Sequence, residues 1–430
     1  MAKKLQTLPG FRDFYPEDCA IRNYLFDHFR AVANGYGFHE YEGPILESTE
    51  LYKKKSGDEI IGQLFHFQDR GEREVAMRPE LTPTLARMAT ARQRDYKKPL
   101  KWFGIGRFFR YEKPQKGRLR EFYQFNCDIL GESSIGADAE LIALAVDLMR
   151  SLGFSSDDFF IRLSDRAVWN TFLEQENIES DRAGDFLQII DKLEREKPEV
   201  TEEKLQALGT TRDAVQKFID SAAESEHFTT LLENLAARGM GDFVRVDLSI
   251  VRGLAYYTGT VFEIFDKGAK NRAIAGGGRY DSLCGLISDG AADMPACGFA
   301  VGDVVISDFI NETATAKSQL IEHLSTAGSL DAYVIVADED KRPDALATVA
   351  RLRQAGHRVD YALTPAKMGK QFQAAEHMKA RLAVIIGSEF PTIKVKVLAT
   401  REEIDTTDSG LPGTIATSLS KEDPGGPLIA

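Results

Sequence analysis

Apolar side chains recur every three to four residues over 17–35, and Ile21, Leu25, Phe29 and Val32 share one face, which predicts an amphipathic helix. Residues 36–47 (YGFHEYEGPILE) read as a strand running into a Pro-marked turn. Residues 64–68 and 73–78 read as a hairpin across Asp69-Arg70-Gly71. Residues 80–95 follow helical spacing. Two strands follow, 102–111 and 121–130, separated by the polar loop KPQKGRLR, and then a helix over 137–152 that stops at Gly153.

From 165 to 240 the spacing is helical throughout, with strand-like stretches on both sides, so this stretch reads as a helical insertion. Strand patterns resume at 243–249, 257–265 and 272–276. A glycine-rich turn at Gly276, Gly277 and Gly278 and a helix come next, then an apolar strand over 296–301 and a helix starting near Gly302. Residues 331–400 alternate strand and helix as a small α/β unit. The expected organisation is a first domain in two parts, 1–164 and 241–310, interrupted by the insertion 165–240. A linker over 311–330, a second domain over 331–404 and a loosely held tail over 405–430, rich in Ser, Thr, Gly and Pro, complete it.

Composition narrows the class. The 430 residues are 43% hydrophobic and 28% charged, enough apolar material for more than one core. No apolar run reaches the roughly 18 residues of a membrane span, and no apolar stretch follows the N-terminal lysines, so no membrane association and a cytoplasmic location are expected. The four cysteines form no CxxC pair and the histidines no HExxH, so no metal site in the protein itself is indicated. The net charge of −12 excludes a uniformly basic nucleic-acid binder. Charge is uneven, however: residues 171–240 carry a net −8, and residues 351–381 a net +5 that includes Arg351 and Arg353. Such a basic stretch suits either a solvated helix face or a polyanion that touches only this part of the molecule.

Chemistry concentrates at Arg110-Tyr111-Glu112, the loop to Arg120, and Glu121-Phe122-Tyr123-Gln124. Strand alternation puts Arg110 and Glu112 on one face, and Phe122 and Gln124 on one face of the next strand. Such a hairpin shows one ligand a guanidinium for phosphate, a carboxylate, an aromatic ring for a base and an amide. Its bland alternative is a solvated charged hairpin. No P-loop occurs, and Gly104-Ile105-Gly106 lacks the third glycine of a dinucleotide fingerprint.

The pattern Arg-x-Glu, polar loop, Phe-x-Gln resembles the second signature motif of class II aminoacyl-tRNA synthetases, and RYEKPQKGRLREFYQ resembles the histidyl-tRNA synthetase version of it. Other segments are similar to that family in the same order: YGFHEYEGPILE to its dimer-forming motif, MRPELTPTLAR to its Arg-Pro-Glu-x-Thr segment, VRGLAYYTGTVFE to its histidine signature, and GGGRYDSL to the segment before its third motif. The resemblance implies an α+β catalytic domain with an antiparallel sheet flanked by helices, the helical insertion, and a C-terminal α/β anticodon-binding domain. It also implies a homodimer that joins L-histidine to ATP, with Mg²⁺ accompanying the ATP, and transfers the histidyl group to tRNA(His).

By that resemblance Arg110 and Arg252 serve catalysis at the α-phosphate and the reacting carboxylate. Arg110, Glu112, Arg118, Arg120 and Phe122 would hold ATP, with Phe122 on the adenine. Glu80, Thr82 and Gln124 would take the α-ammonium of histidine, Asp128 and Tyr257 the two imidazole nitrogens, and Tyr280 would line the pocket. Gln115, Arg351 and Arg353 would contact tRNA. A carboxylate and a phenol suit the two distinct imidazole nitrogens, although read alone Tyr257 also fits a core position and Asp128 a surface one. Two departures stand out. Asp128 replaces the commoner Glu, and Gly302-Asp303-Val304-Val305 replaces Gly-x-Glu-Arg, which leaves Val305 without a cation for the triphosphate. The second feature sets the alternative, a catalytically inert regulatory subunit of ATP phosphoribosyltransferase.

Overall fold

The computed structural model describes residues 5–115, 117–193, 196–222, 226–250, 256–268 and 273–420. The chain divides into two units, 1–319 and 320–430.

In the first unit the strands are, in chain order, β1 (His39–Glu40), β2 (Leu46–Ser48), β3 (His66–Gln68), β4 (Glu74–Met77), β5 (Leu100–Phe109), β6 (Glu121–Leu130), β7 (Phe159–Asp165), β8 (Val244–Val246), β9 (Thr260–Asp266), β10 (Ala275–Arg279) and β11 (Ala296–Gly302). Eight of them form one sheet in the order β1-β5-β6-β11-β10-β9-β7-β8. Its inner pairs are antiparallel, and only the outermost pairs, β1 with β5 and β7 with β8, run parallel. Strands β2, β4 and β3 make a small separate sheet.

Alternation gives β6 two distinct faces. Phe125, on one of them, stacks on Phe29 of the helix Pro16–Gly35 at 4.8 Å. The helix Ile135–Ser151 is buried nearly all round, because it packs against the helices Pro16–Gly35 and Glu226–Ala237 as well as β6 and β11. The opposite face of β6 carries Phe122, Gln124, Asn126 and Asp128 and is left for the site.

Gly276, Gly277 and Gly278, expected as a turn, lie within β10 near the middle of the large sheet. At two of these positions a side chain has no room: a Cβ on Gly277 would overlap the Gly298 carbonyl, and one on Gly278 would press on the Tyr257 ring. Glycine here answers a close approach of neighbouring groups rather than a reversal of the chain. The strand expected over 257–265 starts only at Thr260, which leaves Tyr257 in the preceding loop.

Between β7 and β8 come the helices Arg166–Gln175, Ala183–Asp191, Pro198–Gln206, Arg212–Ala222 and Glu226–Ala237. Trp169 is the centre of their aromatic core, with Phe186 at 5.4 Å and Phe218 at 5.7 Å. The stretch expected as a linker over 311–330 contains the helix Ala314–Thr326. Ala316 and Leu320, four residues apart, are both buried, and an apolar stripe this narrow is hard to see among Ser, Thr and Lys.

The second unit holds β12 (Ala332–Val336), β13 (Val359–Tyr361), β14 (Leu382–Ile386), β15 (Thr392–Val397) and β16 (Glu403–Thr407), in the order β13-β12-β14-β15-β16. The first three are parallel, and the last two add antiparallel edges. The expectation of a loose tail over 405–430 fails for its described part. Residues up to Thr407 complete β16, and the helix Leu411–Ser420 buries Leu411 and Ile415 in the core of this unit. Residues 421–430 lie outside the described residues.

Candidate active site

Arg110 follows the last residue of β5, and its backbone N–H donates to the Arg120 carbonyl at 2.9 Å, closing the base of the hairpin. The loop is folded back by paired backbone bonds between Gln115 and Arg118, at 3.0 and 2.9 Å. The Arg110 guanidinium lies over the Phe122 ring, 5.0 Å from its centroid, and donates to the Pro79 carbonyl at 3.3 Å. Burial pulls its pKa down, and the nearby Glu80 and Glu112 carboxylates oppose that pull.

A cavity of about 300 Å³ opens beside this hairpin. Arg110, Arg118, Phe122 and Gln124 line one part of it; Ile274, Val304 and Val305 give it an apolar side. Four residues expected at ATP or histidine are therefore gathered around one space. Arg118 also pairs with Glu112 at 2.7 Å. Arg120 turns away, donating to the Glu112 carbonyl at 3.2 Å and lying over the Tyr111 ring.

Beyond Gln124 on the same face of β6, Asp128 is buried and accepts a hydrogen bond from the Tyr280 hydroxyl. Gly298 on the neighbouring β11 makes this possible, since any Cβ there would overlap the Asp128 carboxylate. Burial pushes the Asp128 pKa up to about 7, and the Tyr280 hydrogen bond works against that rise. Tyr257 and Tyr280 belong to one core cluster, with Tyr256 between them, its ring 4.7 Å from Tyr257 and 5.8 Å from Tyr280. Asp128, Tyr257 and Tyr280 thus form a second group.

Glu80 precedes the helix Thr82–Ala91, which Thr82 begins. The Glu80 carboxylate pairs with the Lys55 ammonium, which lies 3.9 Å from the centre of the Tyr256 ring. Arg252 lies outside the described residues.

Two residues here escape a reading of the sequence. Lys55 sits among three consecutive lysines and looks like solvent-exposed charge. Its only signal is the spacing from Leu51 and Tyr52, the buried face of the helix Thr49–Ser56. Asp303 stands out in the chain only as part of a changed motif. Its buried carboxylate accepts from the Tyr123 backbone N–H at 2.9 Å and from Arg12 at 2.7 Å, so it ties β6, the helix Asp303–Glu312 and the N-terminal segment together.

In the second unit, Arg351 pairs with Asp408 at 2.6 Å, and Arg353 donates to the Val359 carbonyl at 2.8 Å. Lys367 and Lys370, at the start of the helix Met368–His377, are exposed and have no ion-pair partner among the described residues.

A largely antiparallel sheet that sets a motif arginine, an aromatic ring and an amide around one cavity is the frame of a class II aminoacyl-tRNA synthetase. The family model for histidyl-tRNA synthetase matches residues 10–303, and the anticodon-binding domain model matches residues 331–417. The chain is 41% identical over 425 residues to a histidine–tRNA ligase of Opitutus terrae, covering 93% of this chain and 95% of that protein. It is 38% identical over 430 residues to the chloroplastic/mitochondrial histidine–tRNA ligase of Arabidopsis thaliana, covering 95% and 87%. The crystal structure of histidyl-tRNA synthetase from Nostoc sp. PCC 7120 superposes with a TM-score of 0.77 at 26% identity, covering 96% of this chain and 99% of that one. The chain belongs to the histidyl-tRNA synthetase family.

Proposed function

We propose that the protein is a histidine–tRNA ligase that activates L-histidine with ATP and charges tRNA(His). In the first step a carboxylate oxygen of histidine attacks the α-phosphorus and pyrophosphate leaves. In the second, a terminal ribose hydroxyl of the tRNA attacks the activated carbonyl and AMP leaves. The carrying observation is the single face of β6, where Phe122 and Gln124 border the cavity shared with Arg110, and Asp128 stands two positions beyond Asn126 with Tyr280 on its carboxylate. Adenine would take the slot between Phe122 and the apolar side at Val305, and Arg110 the α-phosphate, where fixed positive charge favours the transition state. Arg252 would face the same phosphate and the reacting carboxylate. Glu80, Thr82 and Gln124 would hold the α-ammonium, and Asp128 and Tyr257 the imidazole, with Tyr280 orienting Asp128. Arg118 would serve the terminal phosphates together with Mg²⁺ brought by ATP. Glu112 and Arg120 would hold the loop around them, with Gln115 presented to the tRNA end. The second unit would read the anticodon stem. The working form would be a cytoplasmic homodimer.

Val305 is the feature that favours the inert regulatory alternative. Against it stand a C-terminal unit that matches an anticodon-binding domain and relatives that are histidine–tRNA ligases over nearly the full chain. Histidine-dependent ATP–pyrophosphate exchange by the purified protein is expected. Histidine binding without exchange at saturating ATP and Mg²⁺ would favour the regulator.

A further inference from the structure

Lys53, Lys54 and Lys55 are consecutive but differently placed. Lys53 and Lys54 reach outward to Asp58 at 3.6 Å and Asp289 at 2.7 Å. Lys55 follows Leu51 by four residues and Tyr52 by three, and so turns inward with them. Its side chain is only 1% exposed, against 20% for Glu80, whose carboxylate holds it. The Tyr256 ring supports the ammonium from below at 3.9 Å. Lys55 therefore occupies a built site: a carboxylate on one side and an aromatic face on another.

Lysine ammonium and amino-acid α-ammonium are the same chemical group, and Glu80 is the carboxylate assigned above to the second. We infer that Lys55 is a stand-in for the substrate α-ammonium, occupying Glu80 in the empty enzyme and leaving it when histidine binds. The inference rests on the reading of Glu80 as the α-ammonium site.

Simultaneous occupancy is disfavoured by charge. Glu80 carries one negative charge, and the Lys55 and Arg110 cations already lie close to it. A third cation within a few ångströms adds repulsion in a site with little water to screen it. Departure is feasible, because Lys55 lies in the last turn of an eight-residue helix capped by Gly57 and followed by the segment Asp58–Gln63, none of whose residues is fully buried. Its four-carbon stem lets the ammonium move while the helix stays in place. The stand-in keeps Glu80 from being left as a half-buried, unpaired carboxylate before substrate arrives. In return, apparent histidine affinity falls by the fraction of molecules in which Glu80 is free.

Calorimetric titration of the full-length protein with histidine and with histidinol, which keeps the ammonium but lacks the carboxylate, tests this. Lys55→Met removes the competitor and is expected to tighten both ligands by about fivefold or more. Lys55→Arg, a competitor able to bond Glu80 in bidentate fashion, is expected to weaken both. Lys55→Gln, a second neutral variant in case the methionine protein folds poorly, should follow Lys55→Met. A merely structural lysine would not move affinity in opposite directions in these variants. Unchanged or weakened binding of both ligands to the neutral variants would overturn the stand-in, as would a Lys55→Met protein that binds histidinol normally but loses histidine, which would instead place Lys55 on the substrate carboxylate. Glu80→Gln separates the two levels: if it leaves histidinol affinity intact, the assignment of Glu80 itself fails and the stand-in with it.

Discussion

The Tyr280 hydroxyl donates a hydrogen bond to the Asp128 carboxylate across 152 residues of chain, linking β6 to the loop that follows β10. The pair sits where burial penalises a bare carboxylate, and Tyr280 is what partly offsets the penalty.

This placement makes stability depend on pH with a definite sign. In the folded protein burial raises the Asp128 pKa to about 7, against roughly 3.9 for an unfolded aspartate. Between those values the folded state binds more protons than the unfolded one, so this group's contribution falls as pH rises through the window and levels off above it. Asp128→Asn keeps an oxygen acceptor for Tyr280 and abolishes the titration. The melting temperature of Asp128→Asn relative to the parent should therefore be higher at pH 8 than at pH 5. An identical difference at both pH values would show that Asp128 is not the titrating group.

The same residue should carry histidine selection. Removing one partner of a buried polar pair costs roughly 1–3 kcal/mol, more when a charge is involved. Asp128→Ala is expected to weaken histidine binding by about tenfold or more and leave ATP binding nearly unchanged. Calorimetry with each substrate separately checks both halves, and an unaltered histidine affinity would remove Asp128 from the pocket.

Asp303 should behave as a clamp. It is buried and accepts from both the Tyr123 N–H and Arg12, while Arg12 is partly exposed and so screened. Asp303→Ala leaves the Tyr123 N–H unsatisfied and is expected to destabilise the protein by about 2–3 kcal/mol, with Arg12→Ala costing less. Because the two share one interaction, the double variant should be less destabilised than the sum of the single ones. Additivity in a denaturant-unfolding cycle would mean that the pair contributes nothing of its own.

The structure also shows which features a sequence can reveal. The helix Pro16–Gly35 buries one regular face whose periodicity is plain in the chain, and the long strands β5 and β6 are legible as apolar runs, β6 being buried on both faces. Alternation alone places Asp128 and Phe122 on a common face with Gln124. What alternation cannot supply is the company each residue keeps. The Tyr280 partner of Asp128 arrives from a distant segment, and the space for that carboxylate comes from an absent side chain at Gly298. The glycines of β10 mislead for a related reason: a run of glycine reads as a turn, whereas here it answers crowding between neighbouring strands. Lys55 is hidden by composition, since three adjacent lysines suggest solvent and only helical register singles out the buried one. Helices with narrow apolar stripes, Ala314–Thr326 and Leu411–Ser420, are obscured by their Ser and Thr residues.

Arg118 should be the cation that makes up for Val305. It lines the cavity with Val305, and Gly117 beside it would place a Cβ 3.7 Å from the valine side chain, so the loop closes over that end of the site. Arg118→Ala is expected to raise the ATP concentration needed for exchange by about tenfold or more, in line with removal of a charge-assisted hydrogen bond to phosphate. The histidine requirement should stay near that of the parent. Exchange kinetics at varied ATP decide the matter, and an unchanged ATP dependence would leave the triphosphate to other groups.

In the second unit, tRNA binding should depend more on Lys367 and Lys370 than on Arg351. The expectation from sequence places the tRNA at Arg351 and Arg353, but Arg351 is neutralised by Asp408 and Arg353 is engaged with the Val359 carbonyl. Lys367 and Lys370 present exposed ammonium groups at the start of the helix Met368–His377, so their charge remains available to a phosphate backbone. Replacing both with glutamate is expected to weaken tRNA binding, and to lower the slope of log affinity against log salt by about one for each phosphate that is no longer neutralised. Histidine-dependent exchange, which needs no tRNA, should be unaffected. Arg351→Ala would instead leave Asp408 unpaired and should act mainly on the stability of the second unit. If Lys367→Glu/Lys370→Glu binds tRNA with the parent's affinity and salt slope while Arg351→Ala abolishes binding without a change in stability, the tRNA lies on the arginine side of the unit.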